Sequence, residues 1–256
     1  MCLIAFALDC HPRYKLVVAA NRDEFYQRPT RAAAFWPENP DILGGKDLLQ
    51  GGTWMGITKT GRWAALTNYR DPGQNKHGAP SRGLLVHDYL AGEDAPDDFL
   101  ERLVGTAQQY DGYNLLAGTS DSLYYFSNQK QPVCQVQPGI HGLSNSLLNV
   151  CWPKVYRSVW HLKNCLRNDV IQADQLFNIM ADTQQAADHE LPRTGLSQEW
   201  ERLLSSVFIA GENYGTRSTS ILLVAKDNHV QFWEKNFIYG NQDDADMVSY
   251  EFAIED

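Results

Sequence analysis

Six consecutive apolar residues, Leu-Ile-Ala-Phe-Ala-Leu at positions 3–8, open the chain with the pattern of a strand buried on both faces. A second apolar run occupies 16–20. The stretch between them, Asp-Cys-His-Pro-Arg at 9–13, reads as a hairpin connection. The segments 51–57 and 62–67 flank Lys-Thr-Gly at 59–61, which predicts another hairpin. The period then changes. Residues 81–90 space their apolar positions as a helix does, with Ser81 as its N-cap, and 99–109 continue in helical style. Strands are expected again at 113–118 and 122–127, helices at 155–166, 173–187 and 198–205, and closing strands at 218–224 and 230–235.

This order of strands, helices, strands, helices and strands, joined by hairpins instead of β-α-β alternation, favours an α+β layered fold with antiparallel sheets. No internal repeat, low-complexity tract or linker divides it, so residues 1–256 are expected to form a single domain. The loop 71–80 carries Asp-Pro-Gly and many polar residues, and it is expected to be exposed and to serve as a flap.

Composition narrows the classes. A formal net charge of −9 and a pI near 5.2 argue against nucleic acid or an anionic membrane as the main partner. No segment reaches the roughly 18 uninterrupted apolar residues of a membrane span. The N-terminus lacks the basic region of a secretory signal, and Asp9 cuts its apolar stretch short. The five cysteines are odd in number and show no CxxC spacing, which indicates neither a disulfide framework nor a zinc site. A reducing cytoplasm is the expected location, or an organelle in a eukaryotic source.

Cys2 follows Met1 directly, and a small second residue favours removal of the initiator. Trimming would give one residue both a thiol and a free α-amine, whose reference pKa is roughly 7.7–8.0. A nucleophile served by its own N-terminal amine is an established arrangement; a plain core cysteine is the alternative. Asn21, Arg22, Asp23 and Glu24 end the second apolar run. They would close a solvated turn in the simplest reading. A hairpin of the first two strands would instead return them to Cys2, where Arg22 would lower the thiol pKa and Asp23 would hold the amine.

Met-Cys at the start, Asn-Arg-Asp-Glu at 21–24, Gly-Gly-Thr-Trp-Met-Gly-Ile at 51–57 and Thr-Asn-Tyr-Arg at 67–70 resemble the NRDE family, whose animal members are called transport and Golgi organization protein 2. So do Ser-Arg-Gly at 81–83, Tyr-Asn-Leu-Leu-Ala-Gly at 113–118, Gly-Leu-Ser-Asn at 142–145, Trp-Pro-Lys at 152–154 and Tyr-Gly-Thr-Arg-Ser at 214–218. The resemblance spans essentially the whole chain. That family is in turn similar to the N-terminal nucleophile (Ntn) hydrolases of the penicillin V acylase and bile salt hydrolase branch. The similarity implies a four-layer αββα sandwich of Ntn-hydrolase type with the nucleophile at the start of a central strand.

By motif the resemblance assigns Cys2 as nucleophile and Asp23 as the acid that holds the amine. It assigns Asn68 and Asn145 as the two oxyanion or substrate amides, and Arg217 as the late arginine. Asn21, Arg22, Trp54, Tyr69 and Arg70 are the binding candidates. In the acylases the first arginine precedes the Asn of the turn, whereas here Ala20 stands there and the arginine is Arg22. Asn68 and Asn145 could equally close turns, and Arg217 could brace a strand.

The resemblance also implies a role in intracellular haem trafficking, with acyl-CoA or lipid handling beside it. Haem is therefore expected only as cargo, and no cofactor or metal is required for catalysis. Its ligand would be Cys2 or one of seven scattered histidines, His77 among them; His141, four residues before Asn145, is the first choice. Two functions follow: a Cys2 hydrolase of amides or thioesters, or a carrier that holds a hydrophobic or amphipathic ligand without turnover. A trafficking adaptor is a third, for which the chain offers no exposed amphipathic helix or charged tail.

Overall fold

The computed structural model describes residues 2–255 except 74, 75 and 77. The readings that touch Met1 and His77, and part of the expected 71–80 flap, thus lie outside the described residues. One antiparallel sheet has the order β10-β1-β2-β11-β12-β13, from β1 (Cys2–Leu8), β2 (Tyr14–Phe25), β10 (Gly139–Leu143), β11 (Tyr214–Ala225), β12 (His229–Ile238) and β13 (Asn241–Ala253). The other runs β3 to β9 in chain order: β3 (Thr30–Trp36), β4 (Asn39–Asp47), β5 (Met55–Thr58), β6 (Trp63–Asn68), β7 (Tyr113–Gly118), β8 (Leu123–Ser127) and β9 (Lys130–Gln135).

Side-chain alternation along β1 explains its unbroken apolar run. Ile4, Phe6 and Leu8 point between the sheets, into the cluster that holds Trp63, Ala65 and Leu116. Leu3, Ala5 and Ala7 point outward against α3 (Pro153–Cys165) and α4 (Ala173–Met180), packing with Val155, Leu162 and Leu176. On the far side, α1 (Gly83–Ala91) and α2 (Pro96–Val104) cover the second sheet, with Leu85, Val86 and Tyr89 among Leu115 and Ala117. Helices, sheet, sheet and helices make the expected α+β sandwich of four layers. Burying an aliphatic or aromatic side chain is worth roughly 1.5–3 kcal/mol, and a one-residue slip of β1 would exchange its two faces. The register that positions Cys2 is therefore firmly set by the core.

α3 lies directly on β10. A Cβ on Gly142 would come within 2.6 Å of Val155 Cγ1 and 2.7 Å of Val159 Cγ2, so only glycine lets this helix approach.

Several elements depart from the sequence expectation. Ser81 does not cap α1; the cap position is Arg82, in helical conformation, and no side chain caps the helix. Residues 51–54 are loop, and the strand starts at Met55. The helix expected to 109 ends at Val104, with a short 3-10 turn following at Ala107–Gln109. α4 stops at Met180, not 187. There Asp182 Oδ1 accepts from Gln184 N (2.8 Å) and its carbonyl accepts from Phe208 N (2.8 Å), which takes the backbone out of helical pairing. The strands β3, β4, β9, β10 and β13 add to those anticipated.

Candidate active site

The β1–β2 hairpin pairs Cys2 with Arg22, and β11 adds Thr216 opposite Asp23. Residues 21–24, which continue β2 and do not form a turn, therefore do return to the start of the chain. Even-numbered Cys2 shares the inter-sheet side with Ile4, while Asp23 shares the helix-layer side with Asn21. Cys2, Arg22, Trp54, Asn68 and Arg82 line a cavity of about 210 Å³ at the end of the sandwich. Glu24, Asp47 and Asp111 also face it, so its walls carry guanidinium and carboxylate groups together.

Each wall is held in place. The Arg22 guanidinium sits 4.5 Å from the centre of a Trp54 ring and donates from Nη1 to Thr30 Oγ1 (3.1 Å). Trp54 can lie there because residue 45 is glycine: a Cβ would stand 2.2 Å from Cη2 of the indole. Arg28 donates from Nε to Asp47 Oδ2 at 2.8 Å. Arg82 donates from Nη1 to Gly112 O (2.9 Å).

Burial pushes the Cys2 thiol above the ordinary cysteine value, and the Asp23 carboxylate adds to the rise. The Arg22 guanidinium and a hydrogen bond from the Asp23 backbone pull the other way. Asp23 itself is only 1% exposed, and burial raises its carboxyl while Lys154 opposes that rise. Its Oδ1 accepts from Thr216 Oγ1 (2.8 Å), and its carbonyl accepts from Tyr214 OH (3.1 Å).

The sequence model of the transport and Golgi organisation 2 family matches residues 1–239. A Bos taurus protein described as transport and Golgi organization protein 2 homolog is 34% identical over 279 residues, covering 100% of both chains. The chain belongs to the transport and Golgi organisation 2 family. The Drosophila melanogaster transport and Golgi organization protein 2 is 30% identical and covers 92% of each chain. Among solved structures, the mutant C2A of conjugated bile acid hydrolase from Clostridium perfringens covers 98% of this chain and 97% of its own, with a TM-score of 0.48 and 11% identity. A Caenorhabditis elegans orthologue of N-acylethanolamine-hydrolyzing acid amidase gives 0.44 at 8% identity, covering 86% of this chain and 92% of its own.

In this member of the transport and Golgi organisation 2 family, the remaining site candidates lie behind the cavity, not on it. Asn145, 1% exposed, donates from Nδ2 to Asn68 O (2.9 Å), and its own carbonyl accepts from Arg70 N (2.8 Å). It thereby fixes the strand end that presents Asn68. Asn21 donates to Met180 O and Val207 O, both at 2.9 Å, and clamps the sheet to its helices. Tyr69 is half-buried, its backbone N–H on Gly112 O. Arg70 forms a buried ion pair with Glu201 (2.6 Å) and lies over Trp152.

Arg217 sits in a β-bulge between Thr216 and Ser218, which turns its guanidinium onto the carbonyls of Phe25 (3.0 Å) and Arg28 (2.9 Å). It braces the turn that carries Arg28. His141 stacks on Phe6, and both its ring nitrogens are engaged, by Gln137 O (2.8 Å) and Asn149 Nδ2 (3.0 Å).

Sequence reasoning placed Arg82 and Lys154 within family motifs without assigning either to the site. Arg82 lines the cavity, and Lys154 is buried on the helix-layer side of the sheet beside Asp23. Their motifs, Ser-Arg-Gly and Trp-Pro-Lys, were the available signal.

Proposed function

We propose that the chain is an N-terminal-cysteine hydrolase of amides or thioesters, acting once Met1 has been removed. The carrying observation is that the central-strand register brings Cys2, Arg22 and Asp23 to one cavity, which Asn68 of the other sheet also lines. The Cys2 thiol gives its proton to its own α-amine, which Asp23 orients. The thiolate attacks the substrate carbonyl and forms a C–S bond, and the oxyanion takes a hydrogen bond from the Asn68 amide. Collapse breaks the bond to nitrogen or to the leaving sulfur, and the α-ammonium returns its proton to that leaving group. Water then attacks the acyl-cysteine, releasing a carboxylic acid and the thiol.

The cavity volume, about 210 Å³, is below the roughly 300–1,000 Å³ of pockets that enclose drug-sized ligands. It suits the polar reacting end of an amphipathic substrate whose apolar part extends outward. The same dimensions weigh against the family-implied haem cargo being enclosed there, and ligation by His141 would cost the hydrogen bond of whichever ring nitrogen bound the iron. The cysteine pattern supports a reducing compartment such as the cytoplasm. No helix among the described residues is long and apolar enough to cross a membrane.

Purified protein assayed against acyl-amide, acyl-thioester and haem panels, beside Cys2→Ala, tests this reading. Turnover that disappears in Cys2→Ala supports it. Stoichiometric binding without turnover, unchanged in Cys2→Ala, replaces it with the carrier function. Asp23→Asn keeps an acceptor for Thr216 but loses the charge that holds the amine. Its kcat is expected to fall by roughly 10²-fold, with little change in melting temperature. A variant that melts far below wild type would make Asp23 structural.

A further inference from the structure

Lys154 is the one lysine of the described buried core: 1% exposed, with Nζ lacking a hydrogen-bond partner among the described residues. Charged groups so enclosed are normally paired, because desolvation of an isolated ammonium is costly. Two further features disfavour a cation at this place. Lys154 is the second residue of α3, whose N-terminus is the positive end of the helix dipole, and the first turn holds no acidic residue to offset it. The Arg70 guanidinium also repels it. A cation kept in such a place points to a role at the site.

The packing says which role. α3 is seated on β1 and β10, with Val155 in the cluster that contains Leu3. Asp23 points to that same side of the sheet. The charged groups that face Lys154 are Asp23 from β2, Cys2 from β1 and Arg70 from the loop after β6. Glu201 of α5 (Gln198–Leu203) balances Arg70, and Tyr214 of β11 lies over the Asp23 carbonyl. Asp23 and a Cys2 thiolate are two anions in one buried place, where the Cys2 ammonium and the Arg22 guanidinium, on the other side of the sheet from Lys154, offset only part of their charge.

We propose that Lys154 is the positioning cation of the Cys2 site, its ammonium supplying the counter-charge that lets the Asp23 carboxylate and the Cys2 thiolate coexist. It keeps its own proton throughout; the thiol proton passes to the Cys2 amine. The lowering of the Lys154 pKa to about 8 agrees with a cation confined to such a place, and Asp23 and Cys2 both help to keep it charged.

The inference rests on Cys2 acting as the nucleophile, and its test needs no turnover. The rate of Cys2 alkylation by iodoacetamide, mapped by peptide mass, is followed from pH 5 to 10 in trimmed wild type, Lys154→Met and Lys154→Arg. Lys154→Met is expected to raise the thiolate midpoint by about one pH unit and slow labelling at neutral pH about tenfold, through loss of a nearby charge. Lys154→Arg, which keeps the charge, is expected to stay near the wild-type midpoint. Lys154→Gln substitutes if Lys154→Met does not fold. A folded neutral variant with the wild-type midpoint overturns the proposal, as does an equal shift in Lys154→Arg, which would mark a packing role. Wild type that hydrolyses nothing, while the midpoint still follows the charge at 154, would remove the hydrolase function and leave this inference standing.

Discussion

An Arg70→Ala chain is expected to melt roughly 10 °C below wild type. Arg70 and Glu201 meet at 2.6 Å with side chains 3% and 5% exposed, so neither charge can turn to water. Glu201 Oε1 is also occupied, accepting from Thr194 N and Oγ1. Removing the guanidinium leaves that carboxylate buried and short of its cation, a change that typically costs about 3–5 kcal/mol. In a chain of this size each kcal/mol moves the melting temperature by about 2–4 °C. The stacking of Arg70 on Trp152, next to Pro153 and Lys154, is lost as well. Replacing both partners at once, as Arg70→Met with Glu201→Leu, should recover most of the loss. Thermal melts of the three chains check this, and a double variant no better than Arg70→Ala would show that the pair itself is not the origin.

Lys154→Met is expected to do the opposite and stabilise the fold at neutral pH by about 3 kcal/mol. Burial, the largest cause, takes Lys154 from the ordinary 10.5 down to about 8, and that difference at about 1.4 kcal/mol per pH unit gives the figure. Below pH 8 both folded and unfolded chains carry the proton, and the folded chain bears the whole cost of the buried charge. Between pH 8 and 10.5 the unfolded chain holds more protons than the folded one, so wild-type stability gains from this group as pH rises. The advantage of Lys154→Met should therefore be full at pH 7, shrink through that window and vanish above it. Urea denaturation of both chains from pH 6.5 to 10.5 measures the difference directly. A gap that does not change with pH would mean that the gain comes from packing and not from charge. Greater stability together with a less reactive Cys2 is what a site kept at the expense of the fold should show.

The sequence exposed the parts of the fold that bury both faces or alternate cleanly. β1 and β2 were legible because their apolar runs meet at a polar break, and that hairpin alone brings Arg22 and Asp23 to Cys2. β4 was not, since Pro40 and the Gly44-Gly45 pair read as turn residues; yet a Cβ on Gly44 would come within 2.7 Å of Met55 O, so the tight pairing itself requires glycine. β13 was hidden by its acidic start, Asn-Gln-Asp-Asp, which an exposed edge strand can carry without cost to the core.

The same division holds at the site. Cys2, Asp23, Arg22, Trp54 and Asn68 were nameable from the family motifs; strand pairing brings Cys2, Arg22 and Asp23 together, and the second sheet supplies Asn68 and, from the loop before β5, Trp54. Whether Arg217 faced the cavity depended on a bulge, which no local pattern announces. Lys154 could not be seen as part of the site because its approach to Asp23 requires α3 to settle on Gly142, over a hundred residues from the hairpin it serves.

Mass spectrometry of the purified chain incubated with a reactive acyl thioester, read as intact mass and then as mapped peptides over time, bears most directly on Cys2 as the nucleophile. The expected result is a chain lacking Met1 that gains one acyl group on the Cys2 peptide, loses it again as water resolves the acyl-cysteine, and gains none as Cys2→Ala. Hydrolysis that persists in Cys2→Ala, or in a chain that retains Met1, would contradict it.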